Sequence, residues 1–222
     1  MFRVENVSKR YRLRGKEVAA LADVSLSIAA GEFVAVVGPS GSGKSTLLLA
    51  LGGLIHPDQG EVYLDGQALY RLDQAGRARI RQQRIGFLFQ TFHLVPYLTA
   101  LENVQMPLYV AGEPPERQVE VATRLLEQVG LGDRLDHKPS ELSVGQQQRV
   151  ALARTLANTP RAILADEPTG SLDPETVGEV MGSLHRLHQD GITIVMVTHD
   201  PAVAAQAQRR VALREGRVAS AG

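Results

Sequence analysis

A short apolar run followed by a glycine-rich loop constrains the fold of this chain more than any other feature of its sequence. Phe33–Val37 is continuously apolar and has the length of a strand, and a helical pattern covers 44–54. The loop between them, including the first helical residues, consists of Gly38, Pro39, Ser40, Gly41, Ser42, Gly43, Lys44, Ser45 and Thr46. A strand, a glycine loop and a helix in this order are what a phosphate-binding loop requires, so the sequence predicts a nucleotide-binding α/β domain.

The spacing within the loop satisfies the pattern G-x-x-x-x-G-K-[ST]. Glycines let backbone N–H groups turn toward phosphate oxygens, and the N-terminus of the following helix adds the positive end of its dipole. We expect Lys44 to contact the β- and γ-phosphates and Ser45 to place its hydroxyl on Mg²⁺. The whole loop is therefore a candidate site for a nucleoside triphosphate.

Two adjacent carboxylates follow a second strand-like run. Asp166 and Glu167 come directly after the apolar residues Ala162–Ala165. A carboxylate at the C-terminal end of a parallel strand points into the crevice where α/β sheets bind ligands, so Asp166 is a candidate Mg²⁺ ligand, directly or through water. Consecutive side chains at a strand end point in different directions, so Glu167 need not share that role.

Composition and charge exclude several classes of protein. The chain has 222 residues, no cysteine and a formal net charge of zero. A disulfide or thiolate metal site is impossible, and the charge gives no reason to expect nucleic acid as a partner. No run approaches the roughly 18 apolar residues of a bilayer span, and the N-terminus has no apolar signal-peptide core. We expect a chain in the cytoplasm, or one held at a membrane only by a partner.

The apolar pattern changes along the chain. It predicts antiparallel strands over 2–7 and 18–28, a buried parallel strand over 192–197, and a last strand pair about Glu215-Gly216. From about 99 to 158 it is helical and contains no convincing strand. One helix there is expected to begin at Pro114-Pro115, to end at Gly130, and to bury a face with these members: Val119, Ala122, Leu125, Leu126 and Val129.

A further segment indicates which class of nucleotide-binding protein this chain belongs to. It reads Leu142-Ser143-Val144-Gly145-Gln146. Together with the loop and the Asp-Glu pair, it resembles the signature Leu-Ser-Gly-Gly-Gln of the ATP-binding-cassette (ABC) family, and the resemblance covers nearly the whole chain. It implies an α/β fold: a P-loop NTPase core with a mostly parallel sheet, an N-terminal antiparallel β-subdomain and an inserted α-helical subdomain. We expect residues 1–222 to form a single ABC ATPase domain, with the helical subdomain at approximately 91–160.

The resemblance implies roles for individual residues. Asp166 would hold Mg²⁺, and Glu167 would be the general base on the attacking water. Gln90, after the apolar strand 85–89, would reach Mg²⁺ and that water and begin the loop that faces a membrane subunit. His199, after the strand 192–197, would contact the γ-phosphate, and Tyr11 would stack on adenine.

The signature would act on the other subunit. Ser143, Gly145 and Gln146 would bind the γ-phosphate of ATP held by the opposite chain, and Asp173 lies in the loop that would couple the two sites. Val144 stands where the family has its first glycine. A β-branched residue would be strained at positive φ, and we expect that this position does not require it.

The segment Ile85–Val104 and the motif Ala165–Gly170 resemble those of lipoprotein-release, macrolide-export and antimicrobial-peptide-resistance ATPases. This resemblance implies ATP and Mg²⁺ as cofactors, a homodimer, an integral membrane permease as partner, and a peripheral location on the cytoplasmic face of the inner (cell) membrane. The related cell-division ATPase, which regulates a membrane partner without transport, is the alternative. Soluble ABC ATPases of DNA repair or translation are usually longer, and this chain lacks their coiled-coil heptads.

Overall fold

The computed structural model describes residues 1–13 and 15–221, which form two β-sheets and seven α-helices. One sheet is antiparallel and has the strand order β2-β1-β4-β5. Its strands are β1 (Phe2–Leu13), β2 (Lys16–Ile28), β4 (Gln59–Leu64) and β5 (Gln67–Ala68).

The second sheet has six strands in the order β10-β9-β3-β8-β7-β6. All neighbours are parallel except the pair β9 and β10 at one edge. The strands are β3 (Phe33–Val37), β6 (Ile85–Phe89), β7 (Ala162–Asp166), β8 (Thr193–Val197), β9 (Arg209–Arg214) and β10 (Arg217–Ala221). The predicted fold class, with its mostly parallel sheet and its N-terminal antiparallel sheet, is confirmed.

The helices lie on both sides of the six-stranded sheet and between its strands in the sequence. They are α1 (Lys44–Leu51), α2 (Gln74–Arg84), α3 (Ala100–Ala111), α4 (Pro115–Gln128), α5 (Val144–Leu156), α6 (Pro174–Gln189) and α7 (Pro201–Ala204). In the part of the chain that the structure describes, no helix has the length and apolarity that crossing a bilayer would need.

The buried strand β3 shows how the layers are built. Val34 and Val36 join a core shared with the antiparallel sheet, whereas Phe33 and Ala35 join a core shared with α5, α6 and α7. Successive side chains of a strand point to opposite faces, and here both faces are covered. This is why the run is continuously apolar and does not alternate with polar residues.

Helices α3, α4 and α5 share a third core. The face of α4 differs from the expected one, because Val121 is buried whereas Val119 is 46% exposed. Val121, Ala122, Leu125 and Leu126 form the buried stripe. Val119 therefore lies beyond the edge of the helix surface that contacts α3 and α5.

Helix α1 is shorter than the apolar pattern predicted, since it ends at Leu51 and not at residue 54. Gly53 has φ 66°, and the Leu54 amide donates to Leu49 O at 2.9 Å, an arrangement that closes helices at glycine. A Cβ at Gly52 would overlap the ring of Phe87 on β6. The glycine pair therefore ends α1 where the sheet comes closest.

The loops after four parallel strands meet at one edge of the six-stranded sheet. Glu167 N donates to Val197 O at 2.9 Å, and Thr198 N donates to Val36 O at 3.2 Å. Phe89 at the end of β6 pairs with Asp166 at the end of β7. The residues that follow β3, β6, β7 and β8 therefore come together, as ligand-binding residues do in open α/β sheets.

Candidate functional site

Glycine is required at two positions of the loop after β3. Gly38 has φ 152° and Gly43 has φ 101°, and a Cβ at these positions would overlap Leu213 O and Ala20 O respectively. The loop is thus pressed between β9 and β2. This close approach fixes the path of the backbone that precedes α1.

The Lys44 side chain folds back across its own loop. Its Nζ donates to Gly38 O at 2.8 Å and to Pro39 O at 3.0 Å, and the residue is only 8% exposed. Because these partners are neutral carbonyls, the positive charge of the ammonium group is not neutralised by them. It is held beside the first turn of α1, where helix N-termini attract anions.

Backbone amides around Lys44 provide a cradle for such an anion. Within 1–13 and 15–221, no intramolecular hydrogen bond is donated by these loop amides: Gly41, Gly43, Lys44, Ser45 and Thr46. Pro39, Ser40 and Gly41 are exposed, whereas Ser42 is buried. Free N–H donors at a helix N-terminus next to a lysine suit the phosphate groups of a nucleotide.

Asp166 lies beside the first turn of α1. The Ser45 hydroxyl donates to Asp166 Oδ1 at 3.1 Å. Burial raises the pKa of the Asp166 carboxyl, the Ser45 hydrogen bond opposes this, and the charge of Glu167 raises it further. A bound cation would offset the burial of this carboxylate, since an opposite charge favours the ionised form.

Glu167 turns away from Asp166 and contacts a different partner. Its Oε2 lies 2.9 Å from His199 Nδ1 and accepts a bond from His199 N at 3.3 Å. Glu167 has φ 48°, in the left-handed region that glutamate rarely adopts. The backbone thus directs the two neighbouring carboxylates to separate positions, one beside the phosphate loop and one beside the exposed imidazole.

Gln90 begins the loop after β6 and is exposed. Its amide lies over Gly170, where an added Cβ would come within 2.9 Å of Gln90 Nε2. A cavity of about 560 Å³ is lined by Gln90, Val144 and Ser171, among other residues. The glutamine therefore lies between the Glu167 loop and the beginning of α5.

The oxygen atoms around Ser45 fit Mg²⁺. Mg²⁺ usually takes one or two protein oxygens and fills its octahedron with water and phosphate oxygens. Ser45 Oγ and Asp166 Oδ1 are such a pair, and the Gln90 amide lies in the next loop. Among the described residues no cluster of three His, Cys, Asp or Glu side chains forms a metal cage, so a metal here would depend on phosphate and water for its other ligands.

The signature segment caps α5. Ser143 Oγ accepts from Gln146 N at 3.2 Å, and Gln146 Oε1 accepts from Ser143 N at 2.9 Å, so the two side chains form a capping box. The Ser143 hydroxyl acts only as an acceptor in this pair, which leaves its proton free to donate. Val144 is the first helical residue, is absent from the positive-φ positions and is 48% exposed.

Gly145 and Asp173 both lie against Thr176. A Cβ at Gly145 would lie 2.8 Å from Thr176 Cγ2, and Thr176 Oγ1 donates to Asp173 Oδ2 at 2.6 Å. Asp173 also caps α6, and its hydrogen bonds with Thr176 lower its pKa. The beginnings of α5 and α6 therefore form one polar cluster, consisting of residues 143–146, Asp173 and Thr176, which we call the signature cluster.

Tyr11 lies on the hairpin that touches the phosphate loop. Tyr11 pairs with Val18 of β2, and the carbonyl group of Ala20 on the same strand packs against Gly43. Lys9 Nζ is 5.7 Å from the centroid of the Tyr11 ring. The ring is partly exposed. Its place on this hairpin is compatible with a stacking role, and that role stays a prediction.

Sequence reasoning missed Gln148. This residue is fully buried, and its Nε2 donates to Pro168 O at 2.6 Å, which ties α5 to the loop that contains Glu167. The available signal was a polar residue at a position where helical periodicity from Ala151, Leu152 and Thr155 predicts burial.

The structure brings the predicted residues together in two groups. The phosphate loop, Asp166, Glu167, Gln90 and His199 lie at the C-terminal edge of the parallel strands. The signature cluster lies at the start of α5 and α6. No hydrogen bond in the described chain joins residues 143–146 to the phosphate loop.

The family model of the ABC transporter matches residues 21–170, which is more than half of the chain and contains the phosphate loop, Gln90, the Asp166-Glu167 pair and residues 143–146. The chain belongs to the ABC transporter family. It is an ATP-binding cassette of that family and an ATPase.

Relatives of this ABC ATPase cover nearly its whole length. It is 47% identical over 216 residues to an uncharacterized ABC transporter ATP-binding protein, YvrO, of Bacillus subtilis, covering 97% of this chain and 94% of that one. It is also 47% identical over 218 residues to the macrolide export ATP-binding/permease protein MacB 1/2 of Paracoccus denitrificans, covering 98% of this chain and 33% of the relative. The predicted resemblance to macrolide-export ATPases is therefore confirmed.

The solved structure of the ATP-binding cassette MJ0796, a dimer in a post-hydrolysis state bound to ADP and Pi, has a similar fold. The TM-score is 0.93 at 44% identity, over 100% of this chain and 98% of that one. A likeness at this level covers the antiparallel sheet, the six-stranded sheet and the helices α3–α5 alike.

Proposed function

We propose that this ABC ATPase works as a head-to-tail homodimer on the cytoplasmic face of the cell membrane, where Mg²⁺-dependent ATP hydrolysis drives a separate permease subunit. The observation that carries this proposal is the arrangement at the sheet edge. Lys44 and free amides for phosphate, the Ser45–Asp166 oxygen pair and the Glu167–His199 pair lie on neighbouring strand ends. The relatives named for macrolide export favour transport over the cell-division role.

Each residue then has a chemical task. The loop amides and Lys44 bind the phosphates, and Ser45 and Asp166 hold Mg²⁺, which would neutralise phosphate charge. Glu167 accepts a proton from the attacking water, while His199 keeps the carboxylate oriented through the 2.9 Å contact and reaches the γ-phosphate. Gln90 positions that water.

The second half of each site comes from the partner chain. Ser143 has a free hydroxyl proton, and the first turn of α5 has free amides, yet neither is bonded to the phosphate loop of the same chain. A two-fold dimer that places the signature cluster over the partner's loop would complete two equal sites. The dimeric state of MJ0796 supports this arrangement.

An apolar cleft supports the proposed permease partner. A cavity of about 420 Å³ lies between α3, β6 and the end of α5, lined by residues that include Leu54, Phe87, Met106 and Val110. On helix α3, Tyr109 is 73% exposed and Val110 is 69% exposed. Contiguous exposed apolar surface of this kind is typical of a protein interface, and the loop that Gln90 begins lies beside it.

Substitution Glu167→Gln tests this function. Glutamine retains an oxygen that accepts from His199 N, so the fold and ATP binding should persist. Without a general base, turnover should fall by about 10²–10⁴-fold. Because ATP then persists, size-exclusion chromatography with Mg²⁺ and ATP should show a stable dimer.

Glu175→Gln, which changes an exposed acid in the first turn of α6, is the matched control and should retain both turnover and the wild-type elution. A Glu167→Gln protein that hydrolyses ATP at the wild-type rate, or that stays monomeric with bound ATP, would refute the proposed roles.

A further inference from the structure

Arg154, in the last turn of α5, binds the loop that Gln90 begins. Its Nη1 donates to His93 O at 2.6 Å, and its Nη2 donates to Phe92 O at 2.5 Å. A guanidinium group with two donors in a fixed fork suits two neighbouring acceptors. The side chain therefore spans two consecutive carbonyl groups of one loop, 61 and 62 residues away in the sequence.

The loop is shaped to present these carbonyls. His93 has φ 48°, so the backbone turns there, and the His93 amide donates to Thr91 O within the turn. The His93 ring packs edge-on against Phe89, the last residue of β6, with ring centroids 5.0 Å apart. Arg154 thus holds a bend that begins two residues after Gln90.

Among the residues that the structure describes, two backbone carbonyl groups are the polar partners of this cation. Arg154 takes part in no ion pair within residues 1–13 and 15–221, and burial lowers its pKa. Placing an unpaired guanidinium in a half-buried position costs free energy, which hydrogen bonds to the loop offset. The site therefore favours one loop conformation, the one that supplies both carbonyls.

The same helix carries the signature cluster at its other end. Ser143 caps the start of α5, while Thr155 Oγ1, next to Arg154, donates to Phe87 O of β6 at 2.7 Å. We propose that Arg154 is a positioning residue for Gln90: by binding the carbonyl groups of Phe92 and His93 it fixes the loop that Gln90 begins. This proposal rests on the proposed role of Gln90 in hydrolysis.

The test compares Arg154→Met with Arg154→Lys. Methionine retains the apolar stem and removes both donors, so kcat should fall by about 10²-fold, the usual effect of a displacement near 1 Å, while the Kd for ATP stays unchanged. Lysine retains one charged donor and should restore part of kcat. Hydrogen exchange at amides 91–95 should be faster in Arg154→Met than in the wild type.

Arg77→Met is the matched control, because Arg77 Nη1 also donates to a backbone carbonyl, Leu72 O at 2.6 Å, but on α2. It should leave kcat and exchange at 91–95 unchanged. Equal loss of kcat in Arg77→Met, or a loss of ATP binding in Arg154→Met, would show a merely structural role and overturn the proposal.

A double-mutant cycle with Gln90→Ala identifies the route. If Arg154 acts through Gln90, Arg154→Met should reduce kcat no further in the Gln90→Ala background. If the losses of kcat in the two single variants multiply in the double variant, the positioning role is overturned. The result of this cycle can be distinguished from a failure of the proposed function. If the proposed function is wrong, Glu167→Gln will leave turnover unchanged, whatever the cycle with Gln90→Ala shows.

Discussion

Several individual residues of the proposed phosphate site could be predicted from the sequence alone. The loop from Gly38 to Ser45 is contiguous, so its pattern alone predicted where Lys44 and Ser45 lie. Asp166 was predicted from its place after an apolar run, and the bond from Ser45 now puts the two side chains together. Gln148 and Arg154 were not predicted to matter, because their partners Pro168, Phe92 and His93 are distant in sequence and accept through backbone carbonyls that no residue type reveals.

Lys44→Ala should abolish or severely weaken ATP binding and leave the protein folded. Among the described residues, Lys44 Nζ bonds to Gly38 O and Pro39 O of its own loop, so the substitution removes the proposed phosphate ligand and little of the core. Calorimetric titration with ATP, together with a thermal melt, checks both parts. Lys138→Ala, at an exposed lysine before α5, should bind ATP normally. A folded Lys44→Ala protein with wild-type affinity would contradict the assignment.

Helices and strands were predictable where the sequence shows a single hydrophobic periodicity, either that of a helix or that of a strand. The buried strands β3, β7 and β8 and the start of α4 at Pro115 agree with the expectation to within a residue. Errors arose where packing decides. Helix α1 ends at the Gly52-Gly53 pair, where Gly53 has φ 66° and the ring of Phe87 lies against Gly52. Helix α4 buries Val121 instead of Val119 because α3 and α5 cover that face. The inserted subdomain at 91–160 stays a prediction, although α3–α5 lie in that range.

The antiparallel sheet should show a pH-dependent stabilisation through Asp58. Its carboxylate accepts from Lys9 Nζ at 2.8 Å and from Arg10 N at 2.6 Å, and these bonds, led by that from Lys9, lower its pKa below the ordinary 3.8. Since the folded state prefers the ionised form, the stabilisation is present above that ordinary value and is lost as the pH falls through the lowered pKa. Asp58→Asn should therefore reduce Tm at pH 7, and the difference should close below pH 4.

Thermal melts of both proteins between pH 7 and pH 2.5 measure this. The effect should be modest because the Asp58 side chain is 45% exposed. Asp136→Asn, at an exposed acid outside the sheet, serves as the control and should not change Tm. A Tm difference for Asp58→Asn that is the same at pH 7 and pH 3 would contradict the assigned cause.

The whole molecule contains the parts of one catalytic site in two separate places. The proposed phosphate ligands and the proposed base lie at the sheet edge, and the signature cluster lies at the start of α5 and α6. The sequence order of these motifs does not reveal whether one chain or two complete the site. The family resemblance supplied that expectation, and the lack of any hydrogen bond between the two groups in the described chain agrees with it.

Ser143→Arg should abolish hydrolysis and leave ATP binding by the monomer nearly intact. Arginine removes the hydroxyl and places bulk at the proposed interface, far along the chain from the loop that binds phosphate. Mixing this protein with Lys44→Ala chains tests whether sites are shared. A mixed dimer has one site with both defects and one with neither, so ATP held between two chains should reappear in the mixture. Normal hydrolysis by Ser143→Arg alone would rule out a shared site.

The left-handed backbone at Glu167 has a consequence for evolution and engineering. A residue with a Cβ at φ 48° carries a strain on the order of 1 kcal/mol, which glycine would not have. Glu167→Gly would relieve this strain, but it would also remove the contact with His199 and give the unfolded chain more conformational freedom. Selection for heat resistance alone therefore puts little pressure on this position, and stability engineered elsewhere in the chain leaves the proposed base in place.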